Sequence, residues 1–155
     1  MGRRNLYSGS LVLAIATVAL PALAQTANFE ALELARGFSR SEAVVSGHTG
    51  GNFSLDQIAV RDSRGQRCMG FGSQTPDHMM TLREDLGPLS LTVNSGGNDT
   101  TLVVQGPNNW LLCGDDSGQG KDAMVQAEAW PAGTYRVWIG SFQPGERWRY
   151  RLMAQ

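Results

Sequence analysis

Polar and apolar residues alternate with a period of two along much of the chain. In 147–152, Trp148, Tyr150 and Leu152 fall on one face and Arg147, Arg149 and Arg151 on the other. That period is the mark of a half-buried strand. In 134–139, Tyr135, Val137 and Ile139 oppose Arg136 and Trp138, and in 89–94 Leu89, Leu91 and Val93 alternate with Ser90, Thr92 and Asn94. Residues 100–104 are β-branched and apolar throughout, which predicts a strand covered on both faces. Residues 42–46, 57–61, 66–72, 78–83, 110–113 and 123–129 are further strand candidates. Residues 28–35 fit one amphipathic helical turn or a ragged edge strand.

Turn-forming clusters separate these runs, among them Gly47 to Gly51, Ser95 to Asp99, Gly106 to Asn109 and Asp115 to Gly120. Punctuation at this spacing predicts an all-β, single-domain antiparallel β-sandwich. The 19 glycines and 6 prolines among 155 residues agree with many turns. That length gives one core and one domain.

The first segment reads as an address. Arg3 and Arg4 precede an apolar run, Leu11 to Leu20, and then Pro21 and Ala22-Leu23-Ala24. That order predicts a signal peptide over 1–24, cleaved after Ala24, with a periplasmic or secreted domain over 25–155. The run is shorter than the roughly 20 residues a membrane-spanning helix needs, so no stable membrane insertion is expected after cleavage. The net charge of −1, which becomes −3 without the leader, opposes a nucleic-acid partner. In an oxidising compartment, Cys68 and Cys113, the two cysteines of the chain, are expected to form one disulfide.

The order of several segments resembles the bacterial pre-peptidase C-terminal domain. Asp99-Thr100-Thr101-Leu102-Val103-Val104 is followed by Gly106-Pro107-Asn108-Asn109, then Cys113-Gly114-Asp115-Asp116, then Ala132-Gly133-Thr134-Tyr135-Arg136-Val137-Trp138-Ile139-Gly140 and Tyr150-Arg151-Leu152. The likeness spans roughly 88–152. It implies a jelly-roll-like sandwich and a non-catalytic role in secretion, adhesion or stability. Members of that family usually end a secreted hydrolase, whereas this domain is read as standing alone.

Three sets of residues are candidates for chemistry. Asp99, Asp115, Asp116 and Asp122 flank loops that would meet at one end of a sandwich, and Ca²⁺ takes six to eight oxygen ligands. Some relatives in the resembled family bind calcium, while Lys121 in the loop opposes a cation and turn capping would also use these side chains. Trp138 and Trp110 are candidate platforms for a sugar or peptide, which fits a protein or polysaccharide partner at the cell envelope. The arginine row at 147, 149 and 151 reads as a solvated face that discourages edge pairing. His48 and His78 would serve an alternative function, a small secreted hydrolase or protease inhibitor, although the chain has no Gly-x-Ser-x-Gly elbow.

Overall fold

The computed structural model describes residues 26–118 and 120–155. The leader expected over 1–24 lies outside the described residues. Among those described there are eleven strands: β1 (Leu32–Leu34), β2 (Val44–His48), β3 (Phe53–Ser54), β4 (Phe71–Gly72), β5 (His78–Leu82), β6 (Leu89–Asn94), β7 (Thr100–Gln105), β8 (Leu111–Gly114), β9 (Met124–Ala127), β10 (Gly133–Ser141) and β11 (Arg149–Ala154). Two short 3-10 turns, Leu55–Gln57 and Pro107–Asn109, accompany them.

The strands form two sheets, as the punctuated period-two pattern predicts. β10 is the axis of the larger sheet. It pairs with β5 and then β4 along one flank and with β7 along the other, and β1, β3 and β8 lie outside these. The smaller sheet runs β2-β11-β6-β9 and is antiparallel throughout. The larger sheet departs from an antiparallel arrangement at β1, which pairs parallel to β5. Residues 28–35 therefore supply an edge strand, with Leu32 and Leu34 buried around an exposed Glu33. The chain crosses between the sheets at most of its connections.

The main core fills the space between the sheets. Leu82, Leu102, Tyr135 and Ile139 meet Leu91, Val93 and Leu152 there. A second core lies on the outer face of the larger sheet. Val103, Leu111, Cys113 and Trp138 are buried beneath the 53–70 segment, which contributes Leu55 and Cys68 to this core, and Phe53, Ile58 and Ala59 pack against them. β7 is consequently covered on both faces, as its unbroken apolar run requires.

That covering layer is where the strand expectations fail. Residues 57–61 are not a strand, and 66–72 is one only at Phe71–Gly72. The 3-10 turn Leu55–Gln57 leads into 57–61, where the Ile58 N–H bonds the Leu55 carbonyl, and only a short pairing follows, Asp62 N–H to Gln66 and Cys68 N–H to Val60. The buried Asp62 carboxylate accepts the Arg64 and Gln66 backbone N–H groups, each at 2.8 Å, and closes the turn between them. The same carboxylate accepts the Cys113 N–H at 3.2 Å and ties the loop to β8. Gly70 has φ +96°, and a Cβ there would collide with Thr101 Oγ1, so only glycine lets the layer approach β7 this closely. Trp148 also differs from expectation, because it precedes β11 and is only half-buried.

The Cys68–Cys113 disulfide joins the layer to β8 across 45 sequence positions. Loop-closure entropy for that separation stabilises the fold by about 4 kcal/mol. Urea titrations of wild type and of a Cys68→Ala/Cys113→Ala double variant are expected to differ by about that amount without reductant. With reductant the two curves should converge.

Candidate functional site

Two places on the surface concentrate functional groups: an acidic loop cluster at one end of β7 and β8, and a basic groove on the smaller sheet. The pairing of β7 with β8 sets Leu102 opposite Gly114, which brings the start of one strand beside the end of the other. Asp99 and the Asp115-Asp116 pair therefore converge, and their carboxylate oxygens lie within 4.8 Å of one another. Asp115 Oδ1 is buried without a hydrogen-bond partner. Desolvation, then the neighbouring Asp116 and Asp99, push the Asp115 carboxyl above its usual range, while Lys121 pulls the other way. Lys121 Nζ stands 2.7 Å from Asp99 Oδ2 and neutralises part of the cluster.

Three mutually repelling carboxylates with one orphaned oxygen are a donor set that fits a hard divalent cation. Asp122 does not belong to it. Its oxygens accept the Ser95 N–H and hydroxyl and the Gly97 N–H, so it caps the turn before β7.

The basic groove, about 740 Å³, lies over β2, β11 and β6. Register places His48 opposite Arg149, and Ser46 and Asn94 on either side of Arg151. Arg147 approaches from the chain just before β11 and donates to His48 Nε2 at 2.7 Å. His48 Nδ1 lies 3.1 Å from the Thr49 carbonyl.

His78 is enclosed in the core. Its Nδ1 donates to the Glu30 carbonyl at 2.7 Å, and its Nε2 accepts the Tyr150 hydroxyl at 2.9 Å. Desolvation lowers the His78 pKa, and burial raises that of Tyr150. The pair joins β5 to β11 and so links the two sheets. His48, Ser73, Asp77 and Arg147 share a recess of about 390 Å³. No hydrogen bond joins Ser73, His48 and Asp77 there: Ser73 Oγ accepts the Thr75 N–H, and Asp77 accepts the Ile139 N–H and the Asn28 amide.

The two tryptophans expected at the surface are engaged in packing. Trp138 is 5% exposed within the second core, and its Nε1 donates to the Gln74 carbonyl at 3.2 Å. It is not a surface platform, because the 53–70 layer covers the face on which it lies. Trp110 is half-buried against Trp130 and Tyr135, with ring centroids 4.5 and 5.3 Å away. Burial of the Tyr135 hydroxyl pushes its pKa up to about 12.

Asp77 supplies a pH signature. Burial pushes its carboxyl from 3.8 up to about 6, although the bonds from Ile139 and Asn28 and the nearby His48 act to lower it. The folded state thus holds a proton that the unfolded chain has released. The associated stabilisation is complete below about pH 4, is lost as pH rises through about 6, and is on the order of 3 kcal/mol. The variant Asp77→Asn should be less stable than wild type at pH 4, since one of its two acceptor bonds is lost. It should gain on wild type as pH rises to 6. Urea midpoints at stepped pH check this, and the difference between the two proteins cancels the opposite slope from His78. A gap that stays constant would contradict the assignment.

No family model matches the chain, and no curated protein matches it. Among solved structures, the chain is similar to the pre-peptidase C-terminal domain of a collagenase from Bacillus anthracis, with a TM-score of 0.44 and 14% identity over 81% of this chain and 94% of that one.

Proposed function

We propose that this chain is an exported, non-catalytic β-sandwich that binds or stabilises a component of the cell envelope or extracellular space. The observation that carries the reading is the buried Cys68–Cys113 bridge, which takes up both cysteines of the chain. Structural disulfides persist in oxidising compartments and are rare in reducing ones. The leader pattern over 1–24 and the segment order over 88–152 support the same reading. Both histidines spend their ring nitrogens on bonds to backbone, arginine or tyrosine, which leaves neither of them paired with a serine hydroxyl.

Calcium is the cation for which Asp99, Asp115 and Asp116 would serve as ligands, with loop carbonyls and water completing the shell. Its role would be to stiffen the loops after β8 by relieving carboxylate repulsion. Lys121 would have to give up its contact with Asp99.

Two measurements test these statements. Cell fractionation should find a chain beginning at Gln25 in the periplasm or medium; an uncleaved cytoplasmic chain would overturn export. Thermal melts of the oxidised protein should rise in Ca²⁺ relative to EDTA. At about a hundred times the dissociation constant the gain is roughly 10 °C. Asp115→Ala and Asp116→Ala should abolish the rise while leaving the melt in EDTA unchanged or higher. Equal melts of wild type in Ca²⁺ and EDTA would return these carboxylates to a purely local role.

A second reading rests on the recess shared by His48, Ser73 and Asp77. It is a hydrolase, and it requires His48 to exchange Arg147 for Ser73. Hydrolysis that disappears in His48→Ala would favour it over the binding module.

A further inference from the structure

We propose that the groove over β2, β11 and β6 binds an acidic polysaccharide, with Arg149 and Arg151 gripping its carboxylate or sulfate groups and Arg147 extending the row. This deepens the reading of the chain as a binding module and rests on it.

The sheet order is the first support. A row of arginines on an edge strand protects that edge from pairing. β11 is no edge: β2 flanks it on one side and β6 on the other. Arg149 and Arg151 therefore have no edge to protect. They are exposed side by side on the outer face, and neither they nor Arg147 makes an ion pair among the described residues. Asp122, which bonds Ser95 at the end of the groove, directs its oxygens to the turn.

Geometry then selects the ligand. Residues two apart on a strand stand about 6.6 Å apart, so the guanidinium groups form a row rather than a single clamp. Guanidinium grips carboxylate or sulfate through paired hydrogen bonds. Ser46 and Asn94, on either side of Arg151, offer the hydroxyl and amide groups that sugar hydroxyls need. The open groove suits a chain passing through it better than a small enclosed anion.

Other polyanions fit less well. The exposed large apolar residues among those described, Val60 and Phe142, are not in the groove, so it has nothing to insert into a bilayer. The ring of Tyr150 is buried and offers no stacking surface to a base.

The test is equilibrium binding in EDTA, which removes any calcium bridge. The probes are sodium alginate, dextran sulfate, neutral dextran, inorganic phosphate, duplex DNA and vesicles containing phosphatidylglycerol. Alginate or dextran sulfate should bind and weaken steeply with added salt, while neutral dextran should not bind. The Arg149→Ala/Arg151→Ala variant should lose at least tenfold in affinity with its melting temperature unchanged. Ser46→Ala should weaken alginate binding more than it weakens the response to phosphate. Failure of both acidic polysaccharides to bind, binding indifferent to the arginine substitutions, or stronger binding to DNA, vesicles or phosphate would overturn the proposal. Cleavage of the bound polysaccharide would leave the groove assignment standing and overturn the non-catalytic reading. Export failing in cell fractionation would overturn that reading without touching the binding result.

Discussion

β10 is the strand on which the rest of the molecule depends. It pairs on both flanks and is buried on both faces over its second half. One face, Tyr135, Val137 and Ile139, enters the core between the sheets; Trp138 enters the second core on the outside. A strand in that position has no solvent side, so the larger sheet needs a cover as well as a partner sheet. The 53–70 segment is that cover. It has little ladder of its own, and it stays in place through Asp62, the close approach at Gly70 and the disulfide to β8.

This layering distributes charge. The larger sheet is covered on both faces over β7 and the second half of β10, and its loops gather Asp99, Asp115 and Asp116 at one end. The smaller sheet keeps one free face, where the exposed positions of β11 are arginines. A chain of net charge −1 thus separates a negative loop cluster from a positive sheet face. The sheets are also joined by polar contacts. The buried His78–Tyr150 bond sits where a misplaced register would leave both groups unpaired, so it favours one alignment of β5 against β11.

Much of the fold was legible in the sequence, for a physical reason. Strands with one buried face write their register in period two, and 89–94, 134–139 and 149–152 lie as that alternation predicts. The cysteine count, with the compartment expected from the leader pattern, points to the disulfide. What stayed hidden depends on contacts between distant segments. Residues 57–61 have strand-like composition, yet the 3-10 turn Leu55–Gln57 leads into them and takes the Ile58 N–H for the Leu55 carbonyl. Trp138 faces away from the core-facing residues of its strand and looked exposed, because nothing local announces a covering layer. Of the four aspartates that loop reasoning groups, Asp99, Asp115 and Asp116 converge, while Asp122 turns to Ser95 in the turn before β7. The arginine row was plain, but its meaning turned on β11 being interior to its sheet, and pairing order is not written in one strand's sequence.

The bridge and Asp62 hold a separate layer over β10. Residue-resolved amide hydrogen exchange on the oxidised and reduced protein measures that hold. On reduction, protection should fall first in the bonds within the layer, Leu55 N–H to Gly70 and Cys68 N–H to Val60, and at the Cys113 N–H that ties it to β8, while β2, β11 and β6 keep theirs longest. Protection that falls equally in both sheets, or that is unchanged around Leu55 and Cys68, would contradict it.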